Sequence, residues 1–288
     1  DYAWGKKEAV FFHGPSGVGK TWQIRAWAKH KAAEMGLDFY QVGVDEKPAD
    51  WEKTFALIEY RVALQDVLDI KGAPTIENGN TVFKVPSSLP DIKKHGKFGM
   101  FFLDELAQGA PSVTNGLSQI VYDRVMGEHY KLPDEWLIVA AGNRKEDQAN
   151  TSKVGAQMYN RFIHFEVTPD VKSWCDYQLG EGSDGRVPAF IRSVNNADGT
   201  DHMHDYKKND IAYSTSRMLS KVDKLITEDN IKGDLREKIV AAHIGVSLAR
   251  KLCAFLEMAD QLATWSEIIK TPETARFPEQ GSDQAISA

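Results

Sequence analysis

Gly14-Pro15-Ser16-Gly17-Val18-Gly19-Lys20-Thr21 is the stretch that decides how the rest of this chain is read. It follows the apolar run Ala9-Val10-Phe11-Phe12 and opens a helical segment, the strand–loop–helix context that the G-x-x-x-x-G-K-[ST] pattern requires. Glycines at 14, 17 and 19 let the backbone curl so that successive N–H groups point inward, and the positive end of the following helix adds to that anion site. Lys20 is then predicted to reach the outer phosphates of a nucleoside triphosphate, and Thr21 to offer its hydroxyl to magnesium. An incidental glycine-rich turn would account for the Lys-Thr pair but not for its flanks.

A bound Mg-triphosphate needs a metal anchor and a group that aligns the attacking water, both at the end of a neighbouring strand. Met100-Phe101-Phe102-Leu103-Asp104-Glu105 supplies them. Asp104 is predicted to bind the metal through water, and Glu105 to orient or deprotonate the nucleophile. A second apolar run, Leu137-Ile138-Val139-Ala140-Ala141, ends in Gly142-Asn143. Asn143 is placed either beside the acidic strand, where it could bond the attacking water or the γ-phosphate, or in a simple Gly-Asn turn.

Outward from these motifs, short apolar runs alternate with longer amphipathic ones, as in a parallel α/β sheet. Strands are predicted at 8–13, 39–44, 100–103, 136–141 and 162–167, and helices at 20–35, 51–68 and 110–126. The stretch 69–97 carries Gly72, Pro74, Gly79, Pro86 and Pro90 around Thr81-Val82-Phe83-Lys84-Val85, which reads as a β-hairpin insertion. Beyond Thr168-Pro169-Asp170 helical periodicity takes over, at 216–226 and 235–258, with a polar loop at 195–210. The expected organisation is a three-layer core with a five-stranded parallel sheet over 1–168, a small α-helical lid over 169–270, and an extension over 271–288. The absence of an initial methionine, and a run Gln284-Ala285-Ile286-Ser287-Ala288 with no obvious closing element, suggest a trimmed fragment.

Composition narrows the classes. A hydrophobic share of 42% with 26% charged residues fits a globular chain rather than a disordered one. The formal charge of −6 gives no global attraction to nucleic acid or anionic lipid. Cys175 and Cys253 lie far apart with no partner at metal-ligand spacing, which suits a reducing cytoplasm. No run approaches the roughly 20 apolar residues of a membrane helix.

In chain order the parts resemble an AAA+ ATPase, with Lys20, Asp104 with Glu105, and Asn143 at the Walker A, Walker B and sensor 1 positions. Asn160-Arg161-Phe162 resembles the position of an arginine finger that reaches a neighbouring subunit's nucleotide, and Ser214-Thr215-Ser216-Arg217 resembles sensor 2. The inserted segment, Asp69-Ile70-Lys71-Gly72-Ala73-Pro74, and Asp123-Arg124 through Leu132-Pro133 look like MoxR-type ATPases of bacteria and their phages. Where most such relatives carry Pro, this chain has Ser16, and Thr215-Ser216-Arg217 departs from the usual Ser-Pro-Arg. The resemblance implies ATP and magnesium as ligands, a ring of six copies, a protein substrate, and a helper with a von Willebrand factor A domain. It implies a remodelling ATPase; a nucleic-acid-dependent motor and a nucleotide-controlled scaffold are the other readings.

Several residues stay open. Trp22 joins the nucleotide-binding candidates because it could stack on a base, yet Trp22 and Trp27 could equally pack under the sheet or line an interface; Trp51 is another stacking candidate. His202 and His204, with Asp201 and Asp205, could ligate a metal or be solvated. Arg124 is a second trans-acting arginine or a helix-face ion pair. Lys93, Lys94, His95 and Lys97 form a solvated loop or a pore-facing contact for an acidic partner or nucleic acid.

Overall fold

The computed structural model describes residues 2–143, 156–198, 201–205, 211–229 and 231–260. Its chain divides into two units, Asp1–Val167 and Thr168–Ala288. The expected extension over 271–288, and the last part of the expected lid, lie outside the described residues.

In chain order the first unit holds α1 (Tyr2–Lys6), β1 (Ala9–His13), α2 (Lys20–Glu34), β2 (Asp38–Gln41), β3 (Thr54–Arg61), α3 (Val67–Lys71), β4 (Ala73–Glu77), β5 (Asn80–Lys84), α4 (Ile92–His95), β6 (Phe98–Asp104), α5 (Pro111–Asp123), β7 (Val125–Met126), β8 (Tyr130–Lys131), β9 (Trp136–Gly142), α6 (Ala156–Tyr159) and β10 (Phe162–Glu166). One six-stranded sheet runs in the order β10-β1-β9-β6-β3-β2, with every neighbouring pair parallel. On one face Ile24, Ala28 and Ala32 of α2 pack on Leu57, Met100, Phe102 and Val139. On the other, Val113, Leu117 and Ile120 of α5 meet Ile58, Phe101, Leu103 and Ile138. The result is the expected three-layer α/β arrangement, with six strands where five were expected.

The additional strand is β3, which replaces the helix expected over 51–68. Thr54 through Ile58 and Tyr60 are buried. A parallel strand covered on both faces loses the polar–apolar alternation of a half-exposed one, so its continuous apolar run reads equally well as a buried helix. Only 3₁₀ turns, Trp51–Lys53 and Val62–Leu64, flank it.

The inserted hairpin is present as the antiparallel pair β4–β5, closed by Asn78 and Gly79, both at positive φ, as a two-residue hairpin turn prefers. The helix expected over 110–126 stops at Asp123 because Arg124 turns left-handed (φ 60°) and caps it. The Arg124 guanidinium donates to the carbonyls of Pro133 and Trp136, each at 2.7 Å, pinning the hairpin β7–β8 below the helix end. Arg124 is therefore a backbone staple, neither of the two roles expected for it. His95 is also not solvated: it is 6% exposed, lies edge-on to Trp136, and accepts at Nδ1 from the Asp91 N–H.

The second unit holds α7 (Val171–Gly180), α8 (Arg186–Asp198), α9 (Ser216–Lys224), α10 (Gly233–Ile244) and α11 (Val246–Ala259). Its core includes Trp174, Phe190, Leu219, Val222, Leu252 and Leu256. Three boundaries differ from expectation. The helix α8 continues through Asp198 into the expected loop, because its apolar positions Val187, Phe190 and Ile191 anchor it to the core. Gly245 divides the expected 235–258 helix into α10 and α11, and a π-helical turn, Leu225–Asp229, follows α9.

Candidate functional site

The sheet order brings the C-terminal ends of β1, β9, β6 and β3 into one row, and the predicted chemistry stands along it. Chain direction reverses around β1: the connection to β2 crosses to the far edge, while β10 returns to β1's other side. Ligands of open α/β sheets bind at such a switch point.

The loop after β1 is shaped by close approach and by handedness. A Cβ at Gly14 would fall 2.4 Å from the carbonyl oxygen of Val167, so only glycine fits there. Gly19 has φ 99° and precedes α2 with no side-chain cap, which leaves the first-turn N–H groups of α2 for a ligand. Lys20 Nζ donates to the carbonyls of Gly14 (2.7 Å) and Pro15 (2.9 Å) and to Asn143 Oδ1 (3.1 Å). The loop thus folds over its own lysine, and Asn143, at the end of β9, touches it. Ser16 is exposed, while Pro15 and Val18 are buried in the loop.

Thr21 Oγ1 donates to Asp104 Oδ2 at 3.3 Å. Two oxygens bound side by side to one octahedral magnesium lie about 3 Å apart, so this pair fits a shared cation. Burial pushes the Asp104 carboxyl above its ordinary pKa, and the charges of Glu59 and Glu105 push the same way, against hydrogen bonds from the Glu105 N–H and Thr21. A partly buried carboxylate beside two others gains when a cation arrives. Glu105 itself is exposed and left-handed (φ 54°), a conformation that costs a non-glycine residue about 1–2 kcal/mol. Strain of this kind clusters at functional positions.

Arg161 precedes β10, the edge strand, and is exposed. Its guanidinium carbon sits 3.3 Å from the ring centroid of Tyr122 on α5, so the structure does not bring it to the phosphate loop. Trp22 on α2 is 51% exposed, so it does not pack under the sheet, whereas Trp27 does, meeting Phe12 edge-on. Trp51 lies edge-on to Tyr40. Arg217 is exposed in the first turn of α9, a helix that Thr215 caps by accepting from the Met218 N–H.

Two clusters beside the row were not anticipated. The first joins Glu59 of β3 to Arg25 of α2 and Gln41 of β2. A single acid inside the apolar run Phe55-Ala56-Leu57-Ile58-Glu59-Tyr60 was the available signal. The second is His13 with His164, ring nitrogens 2.6 Å apart. His164 Nε2 faces the Tyr159 carbonyl at 2.7 Å. That carbonyl can only accept, so His164 carries its proton on Nε2 and its Nδ1 accepts from His13. Burial, together with the nearby His164 and Lys20 and against Glu166, lowers His13 from 6.5 to about 4.

His202 is buried, with its carbonyl accepting from Ser214, and His204 lies edge-on to Tyr213. Among the described residues no three His, Cys, Asp or Glu group as for a metal, and no helix is long and apolar enough to cross a membrane.

A glycine-bearing loop between β1 and α2, with Asp104 ending the parallel strand β6 on the far side of β9, makes the first unit a P-loop α/β core. No family model and no curated protein matches the chain. Among solved structures, NtrX from Brucella abortus in complex with ATP aligns at 14% identity and a TM-score of 0.42, over 81% of this chain and 48% of that one. A second NtrX structure aligns at 15% and 0.41, over 93% and 59%. The ADP complex aligns at 14% and 0.39, over 88% and 66%. The chain therefore spans about half to two thirds of these proteins' length. Likeness at this level assigns neither family nor activity.

Proposed function

We propose that the chain binds and hydrolyses ATP as an AAA+ ATPase of the MoxR type, working as a ring that remodels or assembles protein complexes. The observation that carries the ATPase reading is the meeting of Thr21 with Asp104 at 3.3 Å, across the sheet from where the sequence separates them. In this reading Gly14 to Thr21 hold the phosphates, Lys20 neutralises them, and Asn143 fixes the lysine's position. Glu105, exposed and next to Asp104, orients the attacking water. Bound magnesium would supply charge neutralisation on the phosphates, held by Thr21 and Asp104.

Arg161 supports the ring. It stands exposed at the edge strand, and leaving Tyr122 for a neighbour's nucleotide costs only about 0.5–1 kcal/mol, the worth of an exposed cation–π contact. By the resemblance, Arg217 is assigned the sensor 2 role, and a von Willebrand factor A domain protein that of helper. Calorimetric titration of the purified protein with ATP and magnesium tests the base of this reading, and a titration without heat would remove it. Adding single-stranded or double-stranded nucleic acid to an ATPase assay tests the finer claim: strong stimulation would favour a nucleic-acid motor over protein remodelling.

A further inference from the structure

Glu59 is a carboxylate built into a strand that is otherwise apolar, with its side chain only 9% exposed. Its Oε2 accepts from Arg25 Nε (3.0 Å), Arg25 Nη2 (2.5 Å) and Gln41 Nε2 (3.2 Å). Its Oε1 is buried without a hydrogen bond, with Arg61 Nη2 3.7 Å away. Removing a carboxylate from water costs several kcal/mol unless it is closely paired, and a leucine would fill such a strand position with no such cost. The pairing therefore calls for a role beyond packing.

The elements it joins indicate that role. Arg25 stands one helical turn after Thr21, so the two share a face of α2. Glu59 pairs in register with Phe102 and Arg61 with Asp104, which sets Glu59 one pleat behind Asp104 on the same side of the sheet. The buried side chains of α2 are Ile24, Ala28 and Ala32. Two alanines interlock weakly with a sheet, and with Trp27 only partly buried against Phe12 the apolar contacts leave the Thr21 end of the helix loosely set. The two-pronged Arg25 contact removes that freedom.

We infer that Glu59 is a positioning residue for the cation site, acting through Arg25 to hold α2 where Thr21 meets Asp104; the inference rests on the ATPase reading above. Its signature is a split between two binding measurements. Partners that orient metal ligands typically contribute about 10- to 100-fold to metal affinity, whereas the loop from Gly14 to Gly19 precedes α2 and is tied to Lys20 through the Gly14 and Pro15 carbonyls, without Arg25.

The test uses the full chain and a fluorescent ATP analogue, titrated without divalent metal and then against magnesium. Glu59→Gln is expected to bind the metal-free analogue as the parent does, and to need at least about tenfold more magnesium for half-saturation. An unchanged magnesium midpoint would overturn the inference, and so would an equal loss of metal-free binding, which marks general damage. Should Glu59→Gln fail to fold by circular dichroism, Arg25→Gln carries the same expectation from the more exposed partner. A parent that binds no analogue at all defeats the ATPase reading, a failure visible before any variant is made.

Discussion

In the helical unit, Asp223 has a donor for each carboxylate oxygen: Gln178 Nε2 on Oδ2 at 2.9 Å and Ser183 Oγ on Oδ1 at 2.7 Å. Ser220 closes the network by donating to Gln178 and accepting from the Trp174 indole. In the sheet unit, Glu59 crowds its donors onto one oxygen and leaves the other without a hydrogen bond, while burial, with the Glu59 and Glu105 carboxylates, raises the pKa of Asp104. Both regions bury charge-bearing groups. The Asp223 carboxylate is satisfied internally, as a structural network must be, although burial raises its pKa too, and Glu59 keeps one oxygen unmatched. Buried polarity that is fully matched argues for scaffold, and buried polarity that is mismatched along a row of strand ends argues for a ligand.

That contrast can be broken by measuring turnover and stability on the same variants. Arg161→Ala should give the largest effect, keeping ATP affinity and losing about 10³-fold or more in turnover, the contribution of a trans arginine in other P-loop enzymes. Equal turnover would withdraw the ring assignment. Glu105→Gln should lower turnover by about 10²- to 10⁴-fold with little change in a denaturant midpoint; rapid hydrolysis would show that another group aligns the water. If complexes still assemble and function with this variant, the nucleotide-controlled scaffold replaces the motor.

Asp223→Ala should do the reverse. Leaving the Gln178 and Ser183 donors unmatched costs about 1–3 kcal/mol of stability, read by denaturant unfolding, with ATP affinity unchanged. A shift in affinity instead would tie the two units' chemistry together. His13→Gln is the smallest effect and the sharpest probe, since His13 belongs to the sheet unit yet acts on stability. Its folded pKa lies below the unfolded 6.5, near 4. Between those values the unfolded chain binds more protons, so stability is full above pH 6.5 and is lost as pH falls toward 4. The variant should flatten that acid slope by about 1 kcal/mol, allowing for solvent screening of a half-exposed group.

The legible parts of this molecule are those whose chemistry sits beside a sequence landmark. The loop from Gly14 to Thr21 and the strand ending in Asp104 stand out because apolar runs stop abruptly at residues that sheets do not otherwise need. The hairpin β4–β5 was legible from its alternating segment and the glycines and prolines around it. The strand β3 was not, since burial on both faces erases the period that separates strand from helix. Glu59 was lost with it: its meaning depends on Arg25, 34 residues earlier, and on a strand neighbour that the helix assignment had removed. Arg124 was missed for a different reason, because its partners are backbone carbonyls, which carry no side-chain signature.

The place of β1 in the sheet has a consequence for how the protein is made. This strand is the first of its sheet to be synthesised, but its two neighbours, β9 and β10, are the last. Until residue 166 has emerged, the nascent strand has an unpaired edge, and the turn that follows it lacks the Val167 carbonyl against which Gly14 packs. In the ATPase reading proposed above, nucleotide capture during translation waits for the end of the first unit, and nascent chains halted before β10 should be the ones that chaperones retain.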